Sequence, residues 1–293
     1  MKIAVIGASG YIGQNLIQKL LQKTNHDVIA ISRTASTISE IDERLSKIDV
    51  DVFDTNKLHQ AIADCEAVFF LVHMMGQKKL DYAKAEKKAA HSFCKSLENT
   101  KVIKIIFLGG LGNDQDRLSK HLMSRHNMGA ILRSSNKIVI EFRASMIIGK
   151  GSIAYDIITN LVHKLPILAV PRWATSLTQP IGLNDALEYL LESLNIKYDQ
   201  SEIIEIGGPD ILSYEDLMKQ YALWKGHKKY FVRVSIIPIW LSALWLNLFT
   251  PHFHAKVGQA MAESLTNQMT VTNNKANELF PEIKPKSLNN VFV

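Results

Sequence analysis

The sequence predicts an α/β protein built on a doubly wound parallel sheet, with a small, mainly helical C-terminal lobe. Three observations predict it. Short apolar runs alternate with helical patterns through the first half of the 293-residue chain. The run at 67–72, AVFFLV, is apolar throughout, as in a central strand covered on both faces. A strand at 2–6 runs directly into three glycines, Gly7, Gly10 and Gly13, where a helix starts.

Taken in order, KIAVI at 2–6 reads as the first strand. Residues 14–22 form a helix that buries Leu16, Ile17, Leu20 and Leu21. Strands follow at 27–32 (DVIAIS) and 48–52, then a short helix at 58–63 and the central strand at 67–72. Ala85, Ala89 and Phe93 recur every four residues on a helix over 81–97. The fifth strand, 104–108 (KIIFL), stops at Gly109-Gly110; a helix at 122–134 and a strand at 138–143 come next. Such alternation implies right-handed crossovers and a parallel sheet. Beyond Gly149-Lys150-Gly151 the pattern loosens. Helices are expected at 153–163 and 184–194, a late strand at 202–206 (EIIEI), and a capped helix start at Ser213-Tyr-Glu-Asp. The tail from 275 to 293 reads as an irregular wrap. The expected division is a nucleotide-binding domain over 1–150 with late sheet elements from about 176–208, and a substrate or interaction lobe over 151–175 and 209–293.

Composition narrows the class. A hydrophobic content of 47% with 21% charged residues suits a globular chain with a sizeable core. The net charge of +6 is spread out, with no dense basic run, which argues against nucleic acid as a partner. Cys65 and Cys94 form no CxxC and no metal spacing, so no metal is expected and the thiols suit a reducing, cytoplasmic setting. The apolar run before Gly7 is too short for a secretory leader. Residues 236–249, IIPIWLSALWLNLF, are too few to span a bilayer as a helix, leaving at most a peripheral membrane contact there.

The glycine turn has the chemistry of a dinucleotide cradle. Gly7 permits the tight turn, Gly10 lets backbone approach the pyrophosphate, and Gly13 lets the helix pack on the strand. The helix start, with Ser9, Tyr11 and Ile12 around the glycines, offers N–H groups and the positive dipole end to an anion. Selectivity is set at the end of the second strand, where an NAD site carries Asp or Glu for the ribose. Here Ser32-Arg33 stands instead, twenty positions after Gly13, and a guanidinium suits a 2′-phosphate. The expected cofactor is NADP(H) in preference to NAD(H).

This pattern resembles the short-chain dehydrogenase/reductase superfamily in its extended or atypical branches. The resemblance implies that Asp51, in VDVFD, with Val52 beside it, holds the adenine. It also implies that Leu71, Val72 and His73 pass close to the adenosine ribose. The family normally places a Ser after the fifth strand and a Tyr-x-x-x-Lys on the next helix. This chain has Leu108-Gly109-Gly110-Leu111-Gly112 and then His121-Leu122-Met123-Ser124-Arg125 in their place. The i, i+4 spacing puts His121 and Arg125 on one helical face, as candidate proton donor and ribose contact. The runs LVHMMG, FLGGLG, SKHLMSRHNMGAILR, FRASMIIGKGS, PRWATSLTQPI, IGGPDILSYEDLM and LSALWLNLFTP extend the resemblance along nearly the whole chain. They look like the branch related to NmrA-like and complex I accessory-subunit-like proteins. Pro171-Arg172-Trp173 and Gln179-Pro180 are candidate substrate contacts on a loop. The expected function is an NADP(H)-dependent oxidoreductase acting on an apolar carbonyl or quinone-like small molecule. The alternative is a non-catalytic NADP(H) sensor or assembly factor acting through a protein partner.

Overall fold

The computed structural model describes residues 1–74, 81–234 and 263–292. In chain order the first half contains β1 (Lys2–Ile6), α1 (Tyr11–Lys23), β2 (Asp27–Ser32), β3 (Leu45–Asp49), α2 (Thr55–Ile62), β4 (Ala67–Phe70), α3 (Tyr82–Ser96), β5 (Lys104–Gly110), α4 (Lys120–Arg133) and β6 (Ile138–Ala144). There follow β7 (Ile147–Ile148), α5 (Ile153–Lys164), β8 (Ile167–Pro171), β9 (Leu177–Thr178), β10 (Ile181–Gly182), α6 (Leu183–Glu192), β11 (Glu202–Ile206), β12 (Leu212–Ser213), α7 (Tyr214–Trp224) and β13 (Tyr230–Val234). Two short tail helices, α8 (Lys275–Leu279) and α9 (Leu288–Val291), complete the described chain.

Seven strands form one sheet in the order β11-β6-β5-β4-β1-β2-β3, and every neighbouring pair is parallel. The order reverses between β1 and β4, so a crevice opens outside their carboxyl ends, where open α/β sheets bind ligands. β4 shows why the sheet is doubly wound. Ala67 and Phe69 pack into the core under α1 and α6, while Val68 and Phe70 pack into the core under α2, α3 and α4. Both Phe rings are fully buried, each a gain of about 1.5–3 kcal/mol. Phe70 also stacks on Phe93 of α3 at 4.5 Å between ring centroids.

Most expected elements match within a few residues, but the third strand is corrected. It spans Leu45–Asp49 rather than 48–52, paired with β2 from Val28↔Leu45 to Ser32↔Asp49. β3 lies at the sheet edge and is only partly buried, so no apolar run marks it. Asp51 therefore stands in the turn beyond the strand. The tail is not wholly irregular, since α8 and α9 form within it. Around the C-terminal half a separate core gathers Ile158, Val162, Leu217 and Tyr221 of α5 and α7. Phe292 closes this core, lying 5.6 Å from the Tyr155 ring and 5.3 Å from Trp224. The apolar sequence at 236–249 lies outside the described residues, as do Met75 and Gly76. Among the described residues no helix is long and apolar enough to cross a membrane.

Candidate functional site

The turn after β1 is built for close backbone approach. Gly7 has φ +90°, and its N–H, like that of Ala8, donates to the carbonyl of Ile31 at the end of β2. A Cβ on Gly7 would lie 2.8 Å from the carbonyl carbon and oxygen of Leu71, just past β4. A Cβ on Gly13 would lie 2.5 Å from the Gly7 carbonyl. Both positions thus exclude a side chain, and the turn sits in the β1/β4 crevice. Gly10 is the N-cap of α1, with no side-chain cap and no acidic residue in the first turn. By contrast, α2, α3, α4, α5 and α7 are each capped by an Asp or Ser side chain. The positive end of α1 is left for an anionic ligand, so the residues present fit a dinucleotide pyrophosphate.

Around the cradle, Ser9 receives the Gln14 amide on its carbonyl at 2.8 Å. The Tyr11 hydroxyl donates to the Lys150 carbonyl at 3.1 Å, and burial, then the Asp156 charge, raises its pKa to about 12. The Tyr11 ring crosses the Gly149–Gly151 loop, where a Cβ on Gly149 would lie 2.7 Å from the phenol oxygen. Ile12 is half-buried against the core beneath. At the end of β2, Ser32 is buried and its hydroxyl accepts from the Thr34 N–H at 3.3 Å. Arg33 is exposed and forms no ion pair within the described chain. The loop beyond it is pinned by Asp49, which accepts from the Ser36 N–H at 2.8 Å and the Ser36 hydroxyl at 2.6 Å. Asp51 is exposed and accepts from the Phe53 N–H at 3.0 Å, while Val52 is buried under it.

The other half of the carboxyl edge is made of side chains. Arg125 of α4 is 5% exposed and turns into the sheet rather than into open space. It donates to the Val72 carbonyl at 3.0 Å, the Leu108 carbonyl at 2.5 Å and Glu86 Oε1 at 3.3 Å, with its guanidinium over the Phe107 ring. It therefore ties the ends of β4 and β5 together. Glu86 of α3 is fully buried; it accepts from Ser124 Oγ at 2.5 Å and from the Met74 N–H at 3.4 Å. Burial alone would raise its pKa. Arg125, His73 and these donors outweigh burial and hold the carboxylate below its ordinary value.

His121 is buried, with Nε2 3.3 Å from His73 Nε2 and Nδ1 3.2 Å from Ser264 Oγ. Burial first, then the Arg125 charge, lowers its pKa to about 4. His73 keeps 39% of its side chain accessible. The protein packed around it, then Arg125, still keeps it well below the ordinary value. The structure thus brings His73, His121 and Arg125 together and adds Glu86, Ser124 and Ser264, which sequence reasoning missed. Glu86 left a signal, since it lies on the same buried stripe as Ala89, Ala90 and Phe93. Ser264 left none.

Where the family places its Ser stands Gly110, at which a Cβ would lie 2.7 Å from Leu122 Cδ2, so that a side chain there would displace the leucine. The loop after β5 is braced instead by His126, which bridges Asp114 at 2.5 Å and the Gly110 carbonyl at 2.9 Å. Arg143 joins Asp114 at 3.1 Å to the buried Glu141 at 2.7 Å, and Arg133 pairs with Glu141 as well. A Tyr-x-x-x-Lys does occur in the chain, as Tyr221–Lys225, but in the C-terminal half. There the Tyr221 hydroxyl meets His163 Nε2 at 3.0 Å and Lys225 holds the Phe292 carbonyl at 3.1 Å. Gln179, named as a substrate contact, spends its amide on the Gly208 carbonyl and the Val271 N–H, fastening the tail. The Pro180 carbonyl accepts from the Gly208 N–H. Pro171 ends β8, while the side chains of Arg172 and Trp173 lie outside the described part.

Comparison with known proteins agrees with this geometry. Residues 7–147 match the family described as NAD(P)H-binding. No curated protein matches the chain. Among solved structures, the triphenylmethane reductase of Citrobacter sp. in complex with NADP(H) superposes with a TM-score of 0.79 at 14% identity. The alignment covers 100% of this chain and 99% of that one. A nucleoside-diphosphate-sugar epimerase from Staphylococcus aureus gives 0.78 at 13% identity, over 100% and 99% of the two chains. The UDP-glucuronic acid 4-epimerase of Bacillus cereus, in complex with UDP-glucuronic acid and NAD, gives 0.74 at 17%, over 100% and 96%. Over residues 7–147 the chain is thus similar to NAD(P)H-binding domains. Its fold is one shared by reductases and epimerases.

Proposed function

We propose that the protein is an NADP(H)-dependent oxidoreductase that reduces an apolar carbonyl or quinone-like molecule. The observation that carries the reading is the joining of two features along one carboxyl edge. A glycine cradle ends in Arg33, with no carboxylate at the end of β2, and a polar cluster of His73, His121 and Arg125 stands where the family places its proton-transfer residues. Arg33 and the Ser32 hydroxyl would hold the 2′-phosphate, Asp51 the adenine, and the open α1 N-terminus the pyrophosphate. The nicotinamide supplies hydride when bound. His73 follows the β4 end and is accessible, with the buried His121 behind it. A reductase of the same fold in complex with NADP(H) supports the reading.

Fluorescence titration with NADPH and NADH tests the cofactor assignment, with micromolar binding of NADPH and weaker NADH expected. Equal affinities would remove the NADP assignment. Loss of NADPH absorbance with phenanthrenequinone and aromatic aldehydes tests the reaction. Tight NADPH binding with no consumption across that panel would favour a sensor that acts through a protein partner.

A further inference from the structure

We propose that His73 is the proton-donating residue of this site, and that His121, Ser264 and Ser119 form the relay that restores its proton. The proposal rests on the oxidoreductase reading but stands on a separate geometry. Four side chains from three distant segments form one line. The Ser119 hydroxyl lies 2.8 Å from Ser264 Oγ, which lies 3.2 Å from His121 Nδ1; His121 Nε2 then lies 3.3 Å from His73 Nε2. His73 Nδ1 has no partner among the described residues, and this is the imidazole with accessible surface. Ser119 is half-buried at the other end, beside the exposed Lys120, and so can exchange protons with water.

The direction follows from the hydrogen-bond inventory. Ser119 caps α4 by accepting from the Leu122 N–H, so its own proton is free to point at Ser264. Ser264 then donates to His121 Nδ1, which leaves the His121 proton on Nε2, pointing at His73 Nε2. His73 must then carry its proton on Nδ1, which has no partner among the described residues. In the reverse order the Ser119 proton has only water as its acceptor. Both rings are held neutral by burial and by Arg125, whose charge Glu86 balances, so the proton moves by exchange of tautomers without an imidazolium.

With a reduced nicotinamide bound, hydride would pass to the carbonyl carbon, and the carbonyl oxygen would take the Nδ1 proton of His73. His73 Nε2 takes the proton from His121 Nε2, His121 Nδ1 takes that of Ser264, Ser264 takes that of Ser119, and Ser119 recovers one from water. One hydride and one proton are added, and every relay residue ends neutral with its proton on the opposite side until the line resets. His73 is the catalytic residue here. His121, Ser264 and Ser119 are positioning residues that act through it.

The experiment is ¹⁵N NMR of histidine-labelled full-length protein, with and without NADPH, assigned from His73→Gln and His121→Gln. The expected result is a protonated Nδ1 on His73 and a protonated Nε2 on His121. Ser264→Ala should shift the tautomer balance of both rings, and Ser264→Thr should restore it. A His73 ring protonated on Nε2, or one indifferent to Ser264→Ala, would overturn the relay whether or not turnover is found. Where phenanthrenequinone is reduced, His73→Phe should lower kcat about 100-fold. Equal kcat for His73→Phe and wild type would overturn the donor role. Absence of any NADPH consumption would sink the oxidoreductase reading alone, since the tautomer result still decides the relay.

Discussion

The two ends of the carboxyl edge are made from different material. The cradle at β1 and β2 is backbone, drawn from residues 7–13 with the exposed Arg33 and Asp51 close by in the chain. The cluster at β4 and β5 is side chain, drawn from residues 73, 86, 121, 125 and 264, and buried apart from His73. A backbone cradle fails by sterics, because a single Cβ has nowhere to go. A buried charged cluster fails by electrostatics, because removing one partner leaves another stranded in a low dielectric.

The largest effect is expected at the cluster. Glu86→Ala leaves Arg125 buried without its counter-charge and should cost about 3–5 kcal/mol in urea unfolding. A cost below about 1 kcal/mol would mean the two ends do not differ in this way. Gly7→Ala combines an unfavourable φ with a collision against Leu71. It should lower NADPH affinity by about 2–3 kcal/mol, roughly 30- to 160-fold, read by fluorescence titration.

Acid stability separates the ends in a different way. The folded pKa of His121, about 4, lies below its ordinary 6.5, so the neutral ring contributes stability that is complete above pH 6.5 and lost as pH falls toward 4. Glu86, also depressed, adds stability that is present above its ordinary value of 4.5 and lost as pH falls through its lower folded value. His121→Phe should therefore flatten the fall in Tm between pH 6.5 and 4, a difference on the order of 2 kcal/mol. An unchanged slope would refute the assignment.

At the cradle, Arg33→Ala should weaken NADPH about ten-fold and leave NADH unchanged, as expected for loss of one charge-assisted contact. Equal weakening of both would show that Arg33 does not read the 2′-phosphate. Smallest of all is Tyr221→Phe, which should cost about 1 kcal/mol or less and leave NADPH binding intact. Loss of binding there would draw the C-terminal Tyr-x-x-x-Lys into the site.

Legibility followed the same division. Gly7, Gly10 and Gly13 could be read because their constraint is local; a strand, a turn and a helix start are contiguous in the chain. β1, β2 and β11 were placed to the residue because each is bounded by polar or turn residues. β3 was misplaced by three residues because it is an edge strand, with Asp49 and Lys47 spent on Ser36 and the Ile38 carbonyl instead of on a core. The i, i+4 spacing of His121 and Arg125 did place both on one buried face. It could not show that Arg125 points at the strand-end carbonyls, since that depends on where β4 and β5 end relative to α4.

By itself, then, the sequence determined the alternating architecture, the glycine turn and the missing Ser and Tyr-x-x-x-Lys at their usual places. All of these are written in residue type and short-range spacing. Tertiary structure alone decided what replaced them. Glu86 meets Arg125 from a neighbouring helix, and Ser264 meets His121 across 143 positions of chain. Contacts at that separation arise from how the helices and the tail close over the sheet, and no local pattern encodes them.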